Sequence, residues 1–122
     1  MADAIPVKVS FADKFAQFSD HWAPRIAGRY NGHEIRLAKA AGDFQWHRHT
    51  DSDELFIVLE GELHMEFRGG KQIIGPGEMI VVPRGVEHFP SVPVGEVKMV
   101  IIDPADTANT GDPETAFKPV EV

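Results

Sequence analysis

Three histidines and one glutamate in this chain have the residue types and spacing of a metal site. His47 and His49 are one residue apart. Side chains alternate along an extended strand, so both imidazoles face one side while Arg48 faces the other. An acidic turn, Thr50 to Asp53, leads to Glu54, which can open the next antiparallel strand and lie beside the histidines as an oxygen ligand. His88 follows the turn Pro83-Arg84-Gly85 on another strand and could add a third nitrogen. Such a set suits one divalent transition metal, Fe, Mn, Zn, Ni or Co, with coordination positions left for water or substrate. Taken singly the residues are ordinary. A His-x-His pair is more often a half-exposed strand face, Glu54 a strand-opening charge, and His88 a hydrogen-bonded rim histidine. Their combination carries the reading.

The elements that must position these residues are mostly strands. Residues 10 to 18 begin with an N-capping serine, carry Asp13 in the first turn, and place Phe11, Phe15 and Phe18 at i, i+4 and i+7, which predicts one short amphipathic helix. Residues 25 to 40 read as a hairpin around Asn31-Gly32, a pair suited to a type I′ turn. Turn signals then recur at short intervals and bound strands at 43–48, 54–59, 62–67, 71–74, 79–82, 86–90 and 96–102. Short strands punctuated by Gly and Pro, without intervening helices, predict an antiparallel sandwich or barrel. With 122 residues the chain has the size of one domain. Its barrel is expected over about residues 24–102, and residues 103–122, rich in Pro, Asp, Thr and Ala, are expected to form an irregular tail.

The same alternation proposes a pocket. Gln45 shares the side of His47, and Phe56 and Val58 share that of Glu54. Met65 lies with Leu63 and Phe67 on one face of the next strand, a core position that would border the pocket. Leu55, Ile57 and Leu59 then point outward, as do Phe44 and Trp46. An apolar outer face of that kind needs cover. The helical phenylalanines could supply part of it and a second subunit the rest, so a homodimer is expected.

Gly42, His47, His49, Glu54 and Gly61 resemble the first motif of the cupin superfamily, Gly-x(4-5)-His-x-His-x(3-4)-Glu-x(6)-Gly. Gly77, Pro83, Gly85 and His88 are similar to the second, Gly-x(5)-Pro-x-Gly-x(2)-His-x(3)-Asn, except that Val92 stands where that motif ends in asparagine. The resemblance implies an all-β fold, a double-stranded β-helix or jelly-roll barrel, with the metal inside on His47, His49, Glu54 and His88. Single-domain cupins of this kind are often homodimers. They include dioxygenases, sugar and sugar-phosphate isomerases, lyases, decarboxylases, storage proteins and proteins without known activity. Small ones are frequently labelled mannose-6-phosphate isomerase-like, a label that transfers fold more safely than reaction.

A metal-dependent enzyme acting on a small organic molecule is therefore favoured, of dioxygenase, isomerase or lyase type. A phosphosugar substrate ranks lower, because Arg48 points away by parity and only Arg84, Arg36 or Lys98 remain as phosphate anchors. The alternative is a ligand-binding or sensing module anchored by the metal without turnover, since no separate nucleophile or cofactor fingerprint accompanies the ligands. Nineteen acidic residues against twelve basic ones, a net charge of -7, argue against nucleic acid and anionic membrane as partners. No export signal or long apolar segment is visible, and cytoplasm is the default expectation. The absence of cysteine removes disulfides and thiolate ligands.

Overall fold

Asn31 and Gly32, both at positive φ (48° and 77°), reverse the chain between β1 (Arg25–Tyr30) and β2 (His33–Asp43), as their identities demand. The computed structural model describes residues 4–122. Ahead of the hairpin lies α1 (Phe11–Phe15), capped by Ser10, whose hydroxyl accepts from the Asp13 amide at 3.2 Å. The helix is shorter than the phenylalanine spacing suggests. Phe15 and Phe18 are buried, whereas Phe11 is left exposed.

After β2 come β3 (Glu54–Glu60), β4 (Leu63–Phe67), β5 (Gly70–Ile74), β6 (Met79–Val82), β7 (His88–Pro104) and β8 (Val120–Glu121). β2 and β7 are long and bent, and each serves two sheets. One sheet runs β5-β4-β7-β2 through His88 to Val92 and the end of β2. The other runs β6-β3-β7-β2-β1-β8 through the second half of β7. The bend lies where the β2–β7 register slips between Ala40 and Gly42, with Gly42 at φ 68°. The sheets pack face to face as a jelly roll. Between them sit Phe56, Val58, Leu63, Met65, Ile74, Val82, Val92, Val97, Met99 and Ile101.

Two strand assignments are corrected. Residues 43–48 are no strand: β2 already takes in Asp43, and the chain then runs as an extended loop in which His47 alone bridges to His88. Residues 88–90 of the expected strand 86–90 and all of 96–102 belong to the single strand β7, because the turn-like Pro93-Val94-Gly95 makes a bend within it, while Val86 and Glu87 lie ahead of that strand. Val92, at the position of the missing asparagine, is a buried core residue.

Gly61 shows why glycine ends the first motif. It sits at φ 83°, and a Cβ there would collide with the Glu96 carbonyl and press on Val97. A second apolar cluster lies outside the sheets, where Phe15 and Phe18 pack over Leu37 and Val100 with Ile57 and Leu59 at its margin. The helix thus covers part of the outward face of β3, which explains why that strand is apolar on both sides. No helix among the described residues is long and apolar enough to cross a membrane.

Candidate metal centre

His47 and His88 exchange both backbone hydrogen bonds, at 3.0 and 2.9 Å, so the loop after β2 is stitched to the start of β7 at the two imidazoles. Gly85 donates to the His49 carbonyl at 2.7 Å, and the Asp53 carboxylate accepts from the Arg84 amide at 2.9 Å. These contacts hold the acidic turn against the Pro83-Arg84-Gly85 turn. Asp53 and Arg84 therefore clamp the loops that carry the candidate ligands.

All four sequence-derived ligands come together. His47, His49, Glu54 and His88 are buried, and each offers one ligand atom within 4.8 Å of the others. His47 Nδ1 lies 2.9 Å from the Gln45 carbonyl and His88 Nδ1 lies 2.9 Å from the Val86 carbonyl. A carbonyl can only accept, so both Nδ1 atoms carry hydrogen and Nε2 is the nitrogen left on each ring to offer a lone pair. His49 Nε2 lies 3.2 Å from Glu54 Oε1, and His88 Nε2 lies 3.6 Å from the same oxygen. The Nε2 of His88 is buried without a hydrogen-bond partner. A cation bound among these atoms would satisfy that orphan and neutralise the carboxylate, so the donor set fits a divalent transition metal.

The electrostatics of His47 agree with a neutral, ligand-ready imidazole. Burial lowers the pKa of His47 to about 4, against the hydrogen bond to Gln45 that would raise it. Burial pushes the Glu54 carboxyl up, yet the hydrogen bond with His49 and the closeness of His88 outweigh it and hold the group below the usual carboxylate range.

His47 and Glu54 border a narrow cleft with an open mouth. Its walls are apolar: Trp22, Pro24, Phe44, Phe56, Pro90, Met99 and Ile101. Of the proposed pocket residues Phe56 lines it, whereas Val58 and Met65 are fully buried core residues outside the lining. Gln45 is exposed and acts through its carbonyl, because the loop geometry breaks strand parity after Asp43. For the same reason Phe44 turns into the cleft, where it stacks on Trp22 at 5.1 Å and meets the His47 ring edge-on at 5.2 Å. Trp46 remains at the surface, half-buried against Phe89, with Arg68 over its ring at 3.8 Å.

Sequence reasoning offered Arg36 only as a phosphate anchor and missed Asp103, so the polar floor of this cleft did not emerge from it. Arg36 and Asp103 line it beside Glu54 and are almost fully buried. Arg36 donates to Glu34 at 2.7 and 3.0 Å and to the Thr107 carbonyl at 2.9 Å, and it reaches Asp103 at 3.5 Å. Burial, followed by the neighbouring charge of Glu54, pushes the Asp103 carboxyl up to about 9, against the pull of Arg36. The available signal was the alternation Glu34, Arg36, Ala38, Ala40, whose shared parity puts two charges on the inner face of β2. Asp103 was hidden because it falls where the tail was expected to begin, although β7 continues through it.

Comparison with known proteins agrees with this architecture. The cupin-domain family matches residues 33–103. An uncharacterized protein of Bacillus subtilis, YdbB, is 35% identical over 89 residues, covering 72% of this chain and 73% of that one. A cupin-2 domain containing protein from Shewanella frigidimarina superposes with a TM-score of 0.77 at 45% identity, covering 79% of this chain and 93% of the other. A homogentisate 1,2-dioxygenase of Legionella pneumophila is 25% identical over 127 residues, and the match takes in 87% of this chain but 28% of that enzyme. With the fold, the convergent ligand set and these matches in agreement, the chain belongs to the cupin domain family.

Proposed function

We propose that this cupin binds one divalent transition metal through His47, His49, Glu54 and His88 and acts on a small, largely apolar organic molecule in the adjoining cleft. The observation that carries the reading is the convergence of four buried ligand atoms within 4.8 Å, two of the imidazoles having Nδ1 committed to backbone carbonyls. When bound, the metal would supply Lewis acidity or, as iron, redox chemistry. The chain's own contribution is orientation and exclusion of water. Trp22, Phe44 and Phe56 offer aromatic surface to the substrate. Arg36 donates to Glu34 and to the Thr107 carbonyl and reaches Asp103, so the buried guanidinium is engaged within the protein and is a poor anchor for phosphate. A weakly charged substrate follows. The likeness to a dioxygenase supports an oxidative reaction within this class.

The test is elemental analysis of protein purified without chelator or affinity nickel, followed by oxygen uptake over a panel of small aromatic and aliphatic substrates. Stoichiometric iron with substrate-dependent uptake is expected. A protein that binds no transition metal would overturn the reading.

The engagement of Arg36 with Glu34, Asp103 and the Thr107 carbonyl favours a second reading, a metal-anchored binding module, because the polar floor of the cleft is then tied up within the protein and not directed at a substrate. Tight ligand binding without product would select it.

The homodimer remains part of the proposal. Across the outer face of the second sheet, the register sets Val81, Leu55, Ile102 and Ile35 in one row and Met79, Ile57, Val100 and Leu37 in the next. The helix covers the inner end of the second row, while Met79 and Val81 are 64% and 48% exposed. A second copy is the simplest cover. Phe44 leaves this surface, since it faces the cleft.

A further inference from the structure

β6 is an edge strand: among the described residues it pairs with β3 alone. Its sequence Met79-Ile80-Val81-Val82 carries none of the charges, prolines or bulges that usually protect such an edge. Val58 donates to the Glu78 carbonyl, and by alternation Phe56 and Glu54 also turn their backbone groups toward β6. Their partners Ile80 and Val82 answer them. The backbone groups of Met79 and Val81 therefore point to the open side, and their side chains lie exposed on the outer face. Beyond the edge a cleft separates β6 from β5, lined by Ile73, Ile74 and Met79 among others.

The segment ahead of α1, residues 4–10, is exposed throughout and forms neither helix nor strand. It nevertheless has strand alternation: Ile5, Val7 and Val9 share one parity, and Ile5 and Val7 are 87% and 88% exposed. Apolar side chains so bare are not packed on their own chain. Pro6 has the opposite parity. If Ile5, Val7 and Val9 turn their backbone groups to a neighbouring strand, the missing N–H of Pro6 faces away and closes the new edge to further addition. Seven extended residues span roughly 23 Å, more than the four residues of β6.

We infer that the segment Ala4–Ser10 of a second copy adds to β6 as an antiparallel strand, with Ile5, Val7 and Val9 continuing the apolar rows of Met79 and Val81, in a reciprocal arm exchange. Antiparallel pairing places the arm residues that share a face with Met79 and Val81 directly opposite them, with backbone groups on the open side of the edge. This rests on the reading of the open sheet face as a subunit contact, and names the segment that fills it.

The chain contains no cysteine, so the pairing can be read by disulfide capture. Val7 opposes Met79 in one register and Val81 in the other, and the double variants Val7→Cys/Met79→Cys and Val7→Cys/Val81→Cys cover both. Mild oxidation should give a disulfide-linked dimer in one of them, reversed by reductant. Val7→Asp should raise the dimer dissociation constant by roughly a hundredfold, because it buries a charge, while Lys8→Asp, of opposite parity, should leave it nearly unchanged. A disulfide closed within one chain overturns the exchange and places the arm on its own edge. A dimer that is neither captured nor weakened by Val7→Asp overturns the arm contact while leaving the homodimer standing. A monomer at micromolar concentration in sedimentation removes both.

Discussion

The imidazoles of His47 and His88 face one another with ring centroids 4.2 Å apart, held by a reciprocal pair of backbone hydrogen bonds across an isolated antiparallel bridge. Two candidate ligands distant in sequence are thus brought together by main-chain geometry alone. Each ring is turned by its own Nδ1 bond to a carbonyl two residues upstream, and a preset ligand pair loses little side-chain freedom on binding.

From this follows the effect of removing ligands. The double variant His47→Ala, His49→Ala should lose stoichiometric metal while keeping its fold, because the core residues between the sheets lie outside the ligand set. Metal analysis and circular dichroism together check it. Unchanged metal content contradicts the assignment, and metal loss with unfolding assigns the ion a structural role. In the wild-type protein, metal at a thousandfold excess over its dissociation constant should add about 4 kcal/mol of stability, visible as a shift in melting temperature on chelation.

Gly61→Ala should destabilise the barrel by about 3 kcal/mol, since the residue is at positive φ and its new methyl group meets the Glu96 carbonyl. Urea denaturation measures it. A loss below about 1 kcal/mol would mean that the β7 bend can shift to make room.

Arg36→Met should cost about 3 to 5 kcal/mol, because it leaves buried Glu34 without its cation. If the equilibrium unfolding midpoint barely moves, the network around Glu34 and Asp103 does not hold β2 to β7 energetically.

The pH dependence of the metal-free protein contains two opposing slopes. His47 is lowered from 6.5 to about 4, so across that window the unfolded chain binds a proton the folded one lacks, and the contribution of His47 is lost as pH falls. Asp103 is raised from 3.8 to about 9, so the folded chain keeps a proton the unfolded one has released, and its contribution is lost as pH rises. Between pH 4 and 6.5 the two should nearly cancel, and above 6.5 stability should fall toward pH 9. Asp103→Asn should remove that decline and expose the His47 slope. Urea midpoints at about pH 5, 6.5 and 8 report both. Stability rising between the last two in the wild-type protein would contradict the assignment to Asp103.

Much of this protein is written in short-range pattern. The hairpin at Asn31-Gly32, the capped helix, the apolar strands and the two histidine-bearing motifs follow from local rules of φ, alternation and turn chemistry, and the spacing singles out the four candidate ligands that the fold gathers into one buried group. Alternation works only while the chain remains in a strand. It ends after Asp43, so Gln45 and Phe44 lie opposite to expectation, whereas His47 is returned inward by its bridge to His88. The polar floor of the cleft needed tertiary information because its pieces are far apart in the chain: Arg36 on β2, Asp103 on β7 and Thr107 beyond it meet only when the two bent strands pair. Whether a charge on a strand faces solvent or a buried partner is settled by what the opposite strand places there. No local propensity encodes that pairing.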